Sequence, residues 1–548
     1  MGRRHALFSF LLCSFWLTGL VAASPPDASV LVAAETIKAE NLKSALYFLA
    51  SDEMQGREVN TLSNKITSSY LAHRFERMGL EPVFDDSYYQ YFYLVQGQIS
   101  QDNHLEIRRS NSTLSTVAIL NENYFPSTLS ANGRVTAPLV FAGYGITASE
   151  YEYDDYQGLE VAGKIAVVLE GEPNARDSES RFEGLLDTQY SQEFSKILTA
   201  QAQGAVGLII AHSSLHRPGN RRFSRRARSV WPEKPERARY NLEVWTDMVK
   251  IPVLHASEGF ARILLRDSSL QLNDIQKKID QEYRSRGLAL LESEATMETA
   301  VVRSRTRIRN VLAYLPGSDP DLKDEWVVVS AHFDHVGSHD GEIFNGADDD
   351  ASGTVALLEM AEAFTVADEK PRRSVLFAAW NAEEAGLLGS WYYTAEPPHP
   401  LGKTVALFQM DMIGRNEEVP DPGSPRFRGL EKQTAAENTN TLHLLGYSRS
   451  PELRSLVTRQ NQLIGLDLKL QYDHNPSNLL RRSDHWPFLV SRVPALFFHT
   501  GLHPDYHRPT DTADKINYSK LEKIARLIFL CTWEAADTVT QPQPNSRK

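Results

Sequence analysis

The sequence predicts an α/β fold: a mostly parallel mixed sheet covered by helices on both faces, with a smaller inserted α+β or β-rich domain. Three observations carry that prediction. From Asn310 onward, nearly continuous apolar segments alternate with helical ones. A strand apolar on both faces belongs in a covered, parallel sheet. Between residues 137 and 255, a separate order of strand, helix and strand interrupts the chain and marks an insert with its own core. The length, 548 residues, exceeds what one core supports.

The N-terminus comes first. Arg3 and Arg4 precede an apolar run from Ala6 to Ala22, and Val21-Ala22-Ala23 offers small residues for cleavage. This reads as a signal peptide over residues 1–23 of a secreted or periplasmic protein. An uncleaved anchor ranks second, because the run is short for a bilayer. Cys13 and Cys531 are the only cysteines. Removal of the signal would leave one, so the exported chain would depend on core burial and metal rather than a disulfide. Cys531 lies in Leu527-Ile528-Phe529-Leu530 and reads as a buried structural thiol.

Residues 36–80 read as helices, with Ile37, Leu42, Leu46 and Leu49 at helical spacing and Ile66, Tyr70, Phe75 and Met78 after a turn. Residues 84–125 read as short strands. In the insert, Leu139–Ala142, Gly163–Leu169 and Ala205–Ala211 are apolar strands around a helix starting at Ile197. His216–Arg228 carries six arginines and reads as a solvated loop in preference to an anionic docking patch. The main domain then supplies strands at Trp326–Ala331, Ser374–Trp380, Val405–Met410 and Val493–Phe498, with helices from Gly353 and Glu383. The division is therefore 1–23 signal; 30–135 with 300–540 as one discontinuous domain; 136–260 insert; 261–299 helical connection; 541–548 disordered tail.

Composition narrows the function. The chain is 42% hydrophobic and 23% charged, ordinary for a soluble globular protein, and its formal charge of -12 argues against nucleic acid as a partner. No stable membrane span is expected once the signal is gone.

The chemistry sits just past the strands, the edge where open α/β sheets bind ligands. The first strand runs into His332-Phe333-Asp334. There His332 offers a metal ligand and Asp334 a partner for its other ring nitrogen. Asn345-Gly346-Ala347-Asp348-Asp349-Asp350 packs three consecutive carboxylates against an apolar helix. Their repulsion calls for cations nearby. Glu383 and Glu384 are adjacent at a helix start. One can ligate metal while the other faces a water as general base. Asp411 interrupts an apolar strand end, which is costly unless it is paired or metal-bound. Tyr506-His507 supplies the last candidates. His335, His339, His499 and His503 lie close to these motifs and read as loop or supporting residues.

Together, H-x-D, D-D-D-A-S-G, N-A-E-E-A-G, M-D-M-I-G and Y-H-R-P-x-D-T resemble the signature of the co-catalytic zinc aminopeptidases. That family also includes glutamate carboxypeptidases, glutaminyl cyclases and the transferrin receptor. The resemblance spans residues 300–535 and the helical start at 36–82. Residues 137–255 resemble a protease-associated domain through Phe141-Ala142-Gly143-Tyr144-Gly145 and Gly163-Lys164.

It implies a zinc exopeptidase-like fold and these roles: His332 and Asp411 on one Zn2+, Glu384 and His507 on the other, and Asp349 bridging both. Glu383 would be the general base, Tyr506 would stabilise the tetrahedral intermediate, and Asp334 would support His332. Two zincs about 3.5–4 Å apart would polarise a peptide carbonyl and acidify a shared water. Mn or Co also suits these donors. The expected activity is removal of N-terminal residues from peptide substrates. Alternatives are a carboxypeptidase or glutaminyl cyclase of the same family, or a receptor-like binding protein that lost its metals. The intact ligand set disfavours the last.

Overall fold

The computed structural model describes residues 27–110, 113–175, 177–184, 187–213, 215, 219–230, 239–265, 271–284, 287–538 and 541–542. The expected signal peptide lies outside the described residues, as does most of the expected tail.

The larger sheet has ten strands. Its centre is parallel, in the spatial order Ser374–Trp380, Trp326–His332, Thr404–Met410, Ala495–His499. These are the unbroken apolar runs, and nearly every residue in them is buried. The flanks are antiparallel. Val301–Leu315 pairs with Ser374–Trp380 on one side, and Thr441–Leu445 pairs with Ala495–His499 on the other.

Alternation along each strand divides its side chains between two cores. Val327, Val329, Ala331, Phe377 and Phe408 pack against helices Ala28–Ala34, Ala39–Leu49, Leu62–Arg77, Gly353–Val366, Pro451–Ile464 and Tyr518–Asp537. Val328, Leu376, Ala378, Trp380 and Leu407 face helices Leu388–Ala395 and His485–Val490. Phe377 meets Phe75 and Phe364, and truncating such a buried ring costs about 3–5 kcal/mol. Cys531 is fully buried in the last helix, and burial pushes its thiol well above the ordinary range.

The second sheet has eight strands and extends further in both directions than residues 136–260. It begins with His104–Arg109 and ends with Leu288–Thr299. The expected helical connection at 261–299 is thus only partly helical. Helices Glu258–Leu264 and Leu272–Glu282 are followed by a strand that pairs with both His104–Arg109 and Gly133–Phe141. Alternating burial explains the strand: Ala295 and Met297 are fully buried between outward-facing polar neighbours. The arginine-rich segment also departs from expectation. Gly219–Ser229 is a helix, because Phe223 and Ala227, four residues apart, are buried in one cluster with Phe125. Arg226 pairs with Glu170 and Glu193.

Candidate metal centre

All the candidate ligands meet at the carboxyl edge of the parallel strands. His332 ends its strand, and Asp411 directly follows Met410. Glu383 and Glu384 come three and four residues after Trp380. His507 lies in the loop after Ala495–His499, and Asp349 in the tight turn Ala347–Ser352 before helix Gly353–Val366.

Asp349 faces both halves of the site. Its Oδ1 is 3.2 Å from His332 Nε2, and its Oδ2 is 3.0 Å from His507 Nε2. On the first side, His332 Nε2 is 3.6 Å from Asp411 Oδ1. On the second, His507 Nε2 is 3.1 Å from Glu384 Oε1. The five expected ligands are therefore brought together as two groups sharing Asp349.

One further histidine joins them. His335 Nδ1 lies 2.8 Å from Glu384 Oε1 and 3.7 Å from Asp349 Oδ2. His335, Asp349, Glu384 and His507 offer donor atoms within 4.8 Å of one another, as do His332, Asp350 and Asp411. His335, expected from sequence to be a loop or supporting residue, thus stands among the candidate ligands. Asp350 is different, because its carboxylate is already engaged: it accepts from the backbone N–H groups of His332, Gly353 and Met412.

The donor set fits metal. His332 Nε2, His335 Nδ1 and Glu384 Oε1 are buried, and none makes a hydrogen bond among the described residues. His335 and Glu384 approach to 2.8 Å without hydrogen-bond alignment, so their lone pairs converge on shared space. Orphaned buried polar atoms are costly unless a cation occupies that space.

A surrounding shell fixes the donors. Asp334 accepts from the backbone N–H groups of Glu383 and Glu384. Its backbone carbonyl, at 3.1 Å, is closer to His332 Nδ1 than its carboxylate, at 3.8 Å. Asp334 therefore supports both the histidine and the glutamate pair. Asp511 accepts from the N–H groups of Asp348 and Asp349. Arg57, fully buried, donates to the carbonyls of Leu49, Phe333, Asn345 and Gly346.

Two segments of the chain match known family models. Residues 310–532 match the model of peptidase family M28, and residues 135–263 match the PA domain. Residues 310–532 are thus similar to peptidase family M28. A glutamate carboxypeptidase 2 homolog of Caenorhabditis elegans is 26% identical over 441 residues, covering 71% of this chain and 53% of that protein. Leucine aminopeptidase 2 of Arthroderma otae is 26% identical over 263 residues, covering 43% and 48%. The chain spans about half the length of these curated relatives. Among solved structures, an aminopeptidase from Aneurinibacillus sp. strain AM-1 is similar at 20% identity and TM-score 0.46, covering 94% of this chain and 100% of that one. A zinc aminopeptidase from Bacillus subtilis is similar at 20% identity and TM-score 0.42, covering 92% and 96%.

Within residues 310–532, a small cleft opens beside the candidate ligands. Asp349, Glu383, Asp411 and Tyr506 line it together with Leu479, Arg482, Phe497 and His499. The Tyr506 ring lies against His507, with centroids 3.9 Å apart. Burial disfavours charge throughout the site, yet the two adjacent glutamates do not titrate alike. His507 and His335 help hold Glu384 down to about 2 against that burial. Glu383 has no such set of partners, and burial pushes its carboxyl well above the ordinary range.

Proposed function

We propose that this chain is a secreted or periplasmic two-zinc aminopeptidase. The observation that carries the reading is the split of Asp349 between His332 and His507, the arrangement a carboxylate bridging two ions requires. His332 and Asp411 would hold one zinc; Glu384 and His507, with His335 beside them, would hold the other. Two such ions polarise a scissile carbonyl and lower the pKa of a shared water toward neutral.

The chain's own residues do the rest. Glu383 lines the cavity 4.0 Å from His332 Nε2, in position to take a proton from water and return it to the leaving amine. Tyr506, on the same wall, offers a hydroxyl to the developing oxyanion. Leu479, Phe497 and Leu502 give the cavity an apolar side suited to an uncharged side chain. The aminopeptidase names of several relatives support the polarity of attack.

The test combines metal analysis with two substrates. The purified chain should carry close to two zincs, and free-amine aminoacyl substrates should be cleaved far faster than their N-acetylated forms. Equal turnover of the pair removes the aminopeptidase assignment, and a stoichiometry of one removes the bridging role of Asp349.

A second reading, carboxypeptidase, has one specific support. Arg482 stands at the cavity wall and donates to the Ser477 carbonyl at 2.6 Å. Its guanidinium is suited to receive a substrate carboxylate. Under that reading, C-terminal amidation of a peptide abolishes cleavage and N-acetylation does not.

A further inference from the structure

The PA domain makes a charged contact with residues neighbouring the cleft at the candidate metal centre. Its arm between strand Ile165–Leu169 and helix Glu193–Ala202 carries Glu172, Glu183 and Asp187. Opposite them the M28 domain presents Arg449, Arg481 and Trp486. Glu183 Oε2 accepts from Arg449 Nη2 at 2.6 Å, and its Oε1 accepts from the Tyr151 hydroxyl at 2.6 Å. Both members of the ion pair are largely buried, with side chains 9% and 19% exposed for Glu183 and Arg449. Water therefore screens the pair weakly.

The Trp486 ring sits between two guanidinium groups. Arg449 lies 5.3 Å and Arg481 4.6 Å from its centroid. Such cation–π contacts strengthen where water is excluded. Arg481 feels the charges of Glu183, Glu172 and Asp187. Its Nε and Nη2 make no hydrogen bond among the described residues, so these acids compensate its charge through space.

The contacted segment is the one that shapes the cavity. Leu479 and Arg482 line it, while Arg481 and Trp486 of the same short stretch touch each other and connect to the PA arm through Arg449 and the acids Glu183, Glu172 and Asp187. The stretch contains one three-residue turn, Leu479–Arg481, and the start of helix His485–Val490. Turns this short hold their place through side-chain contacts more than through their own hydrogen bonds.

We propose that the PA arm positions the cavity wall at Leu479–Trp486 through the Glu183–Arg449 pair, so that the insert sets substrate affinity without touching substrate or metal. Glu183 and Arg449 are thus positioning residues, and their effect on hydrolysis rests on the peptidase reading above.

Three variants test this: Glu183→Ala, Arg449→Ala and the charge exchange Glu183→Arg with Arg449→Glu. Each single change should raise KM about tenfold, the scale of a contact pair in a double-mutant cycle. In both, kcat should stay within about twofold and zinc content should not change. The exchange should return KM to within about threefold of wild type, because it restores the pair. Hydrogen exchange of amides 479–486 gives a readout independent of hydrolysis, and it should speed up in both single variants. Unchanged exchange there overturns the proposal whatever the kinetics show. So does a parallel fall of kcat, KM and zinc content, which would mark general misfolding. A wild type that cleaves no peptide overturns the peptidase reading alone, and the exchange data still decide the role of the arm.

Discussion

The guanidinium of Arg57 donates to the carbonyl oxygen of Gly346 at 2.9 Å, three residues before Asp349. The same group reaches the carbonyl of Phe333 next to His332, that of Asn345, and that of Leu49 at the end of a helix. One side chain therefore ties the first helices to both ligand-bearing loops. Its neighbour Gly56 is pressed against them: an added Cβ would lie 2.4 Å from the Phe344 carbonyl oxygen, at a φ of +67°. Arg57→Ala would leave the carbonyls of Leu49, Phe333 and Asn345 without this donor, at about 1–3 kcal/mol each where water cannot enter, while Gly346 keeps the Ala351 N–H. The expected result is a loss of at least about 3 kcal/mol in urea unfolding, with zinc lost at lower chelator concentrations. Unchanged stability would show that water replaces the guanidinium.

The ligand geometry separates the effects of single substitutions on metal content. Asp349→Ala should remove both ions, because each oxygen serves a different group. His507→Ala should leave the His332–Asp411 ion in place, giving close to one zinc per chain. His335→Ala should weaken the second site about 10–100-fold, the range seen when a group contacting metal ligands is lost. Mass-spectrometric metal counting after dialysis checks all three. Two retained zincs in Asp349→Ala would exclude the bridge.

Part of this candidate centre was legible in the sequence, because His332 and Asp411 stand at apolar strand ends, where a polar residue is costly unless paired or metal-bound. Asp411 after Met410 is the clearest instance. His335 and Arg57 were not legible. His335 belongs to a loop that already held two candidates, and only the folded turn brings it to 2.8 Å from Glu384. Arg57 lies in a turn with no periodicity, and its partners are backbone carbonyls as many as 289 residues away. The strand Leu288–Thr299 was missed for another reason. Its start, Leu288-Ala289-Leu290-Leu291, suits a helix as well as a strand, and only Ala295 and Met297 show the two-residue period.

The outer face of the large sheet carries a ladder of three cation–π pairs. Arg305, Arg307 and Arg309 lie 3.3, 3.7 and 3.8 Å from the ring centroids of Tyr93, Tyr91 and Tyr89. The two strands pair antiparallel along this stretch, which places the side chains on one face. Arg307 and Tyr91 are both exposed, so their coupling should be about 0.5–1 kcal/mol. A double-mutant cycle with Arg307→Ala and Tyr91→Ala, read by thermal unfolding, measures it. A coupling indistinguishable from zero would reduce the ladder to coincidental proximity.

His399 offers a pH test away from the metal ligands. Its ring stacks on Trp326, with centroids 3.7 Å apart and planes 5° from parallel. Burial alone lowers its pKa to about 4 from an ordinary 6.5. Between those two values the unfolded chain binds more protons at this position than the folded chain, so stability there rises with pH. The contribution is intact above pH 6.5 and is lost progressively as pH falls toward 4. The neutral ring should therefore persist at pH 5.5, and its NMR titration midpoint should fall near 4. His399→Phe keeps an aromatic ring on Trp326 and removes the titration. That variant should lose less melting temperature than wild type on acidification from pH 7 to 5. An equal loss in both proteins, or a midpoint near 6.5, would show that water reaches the imidazole beside Trp326.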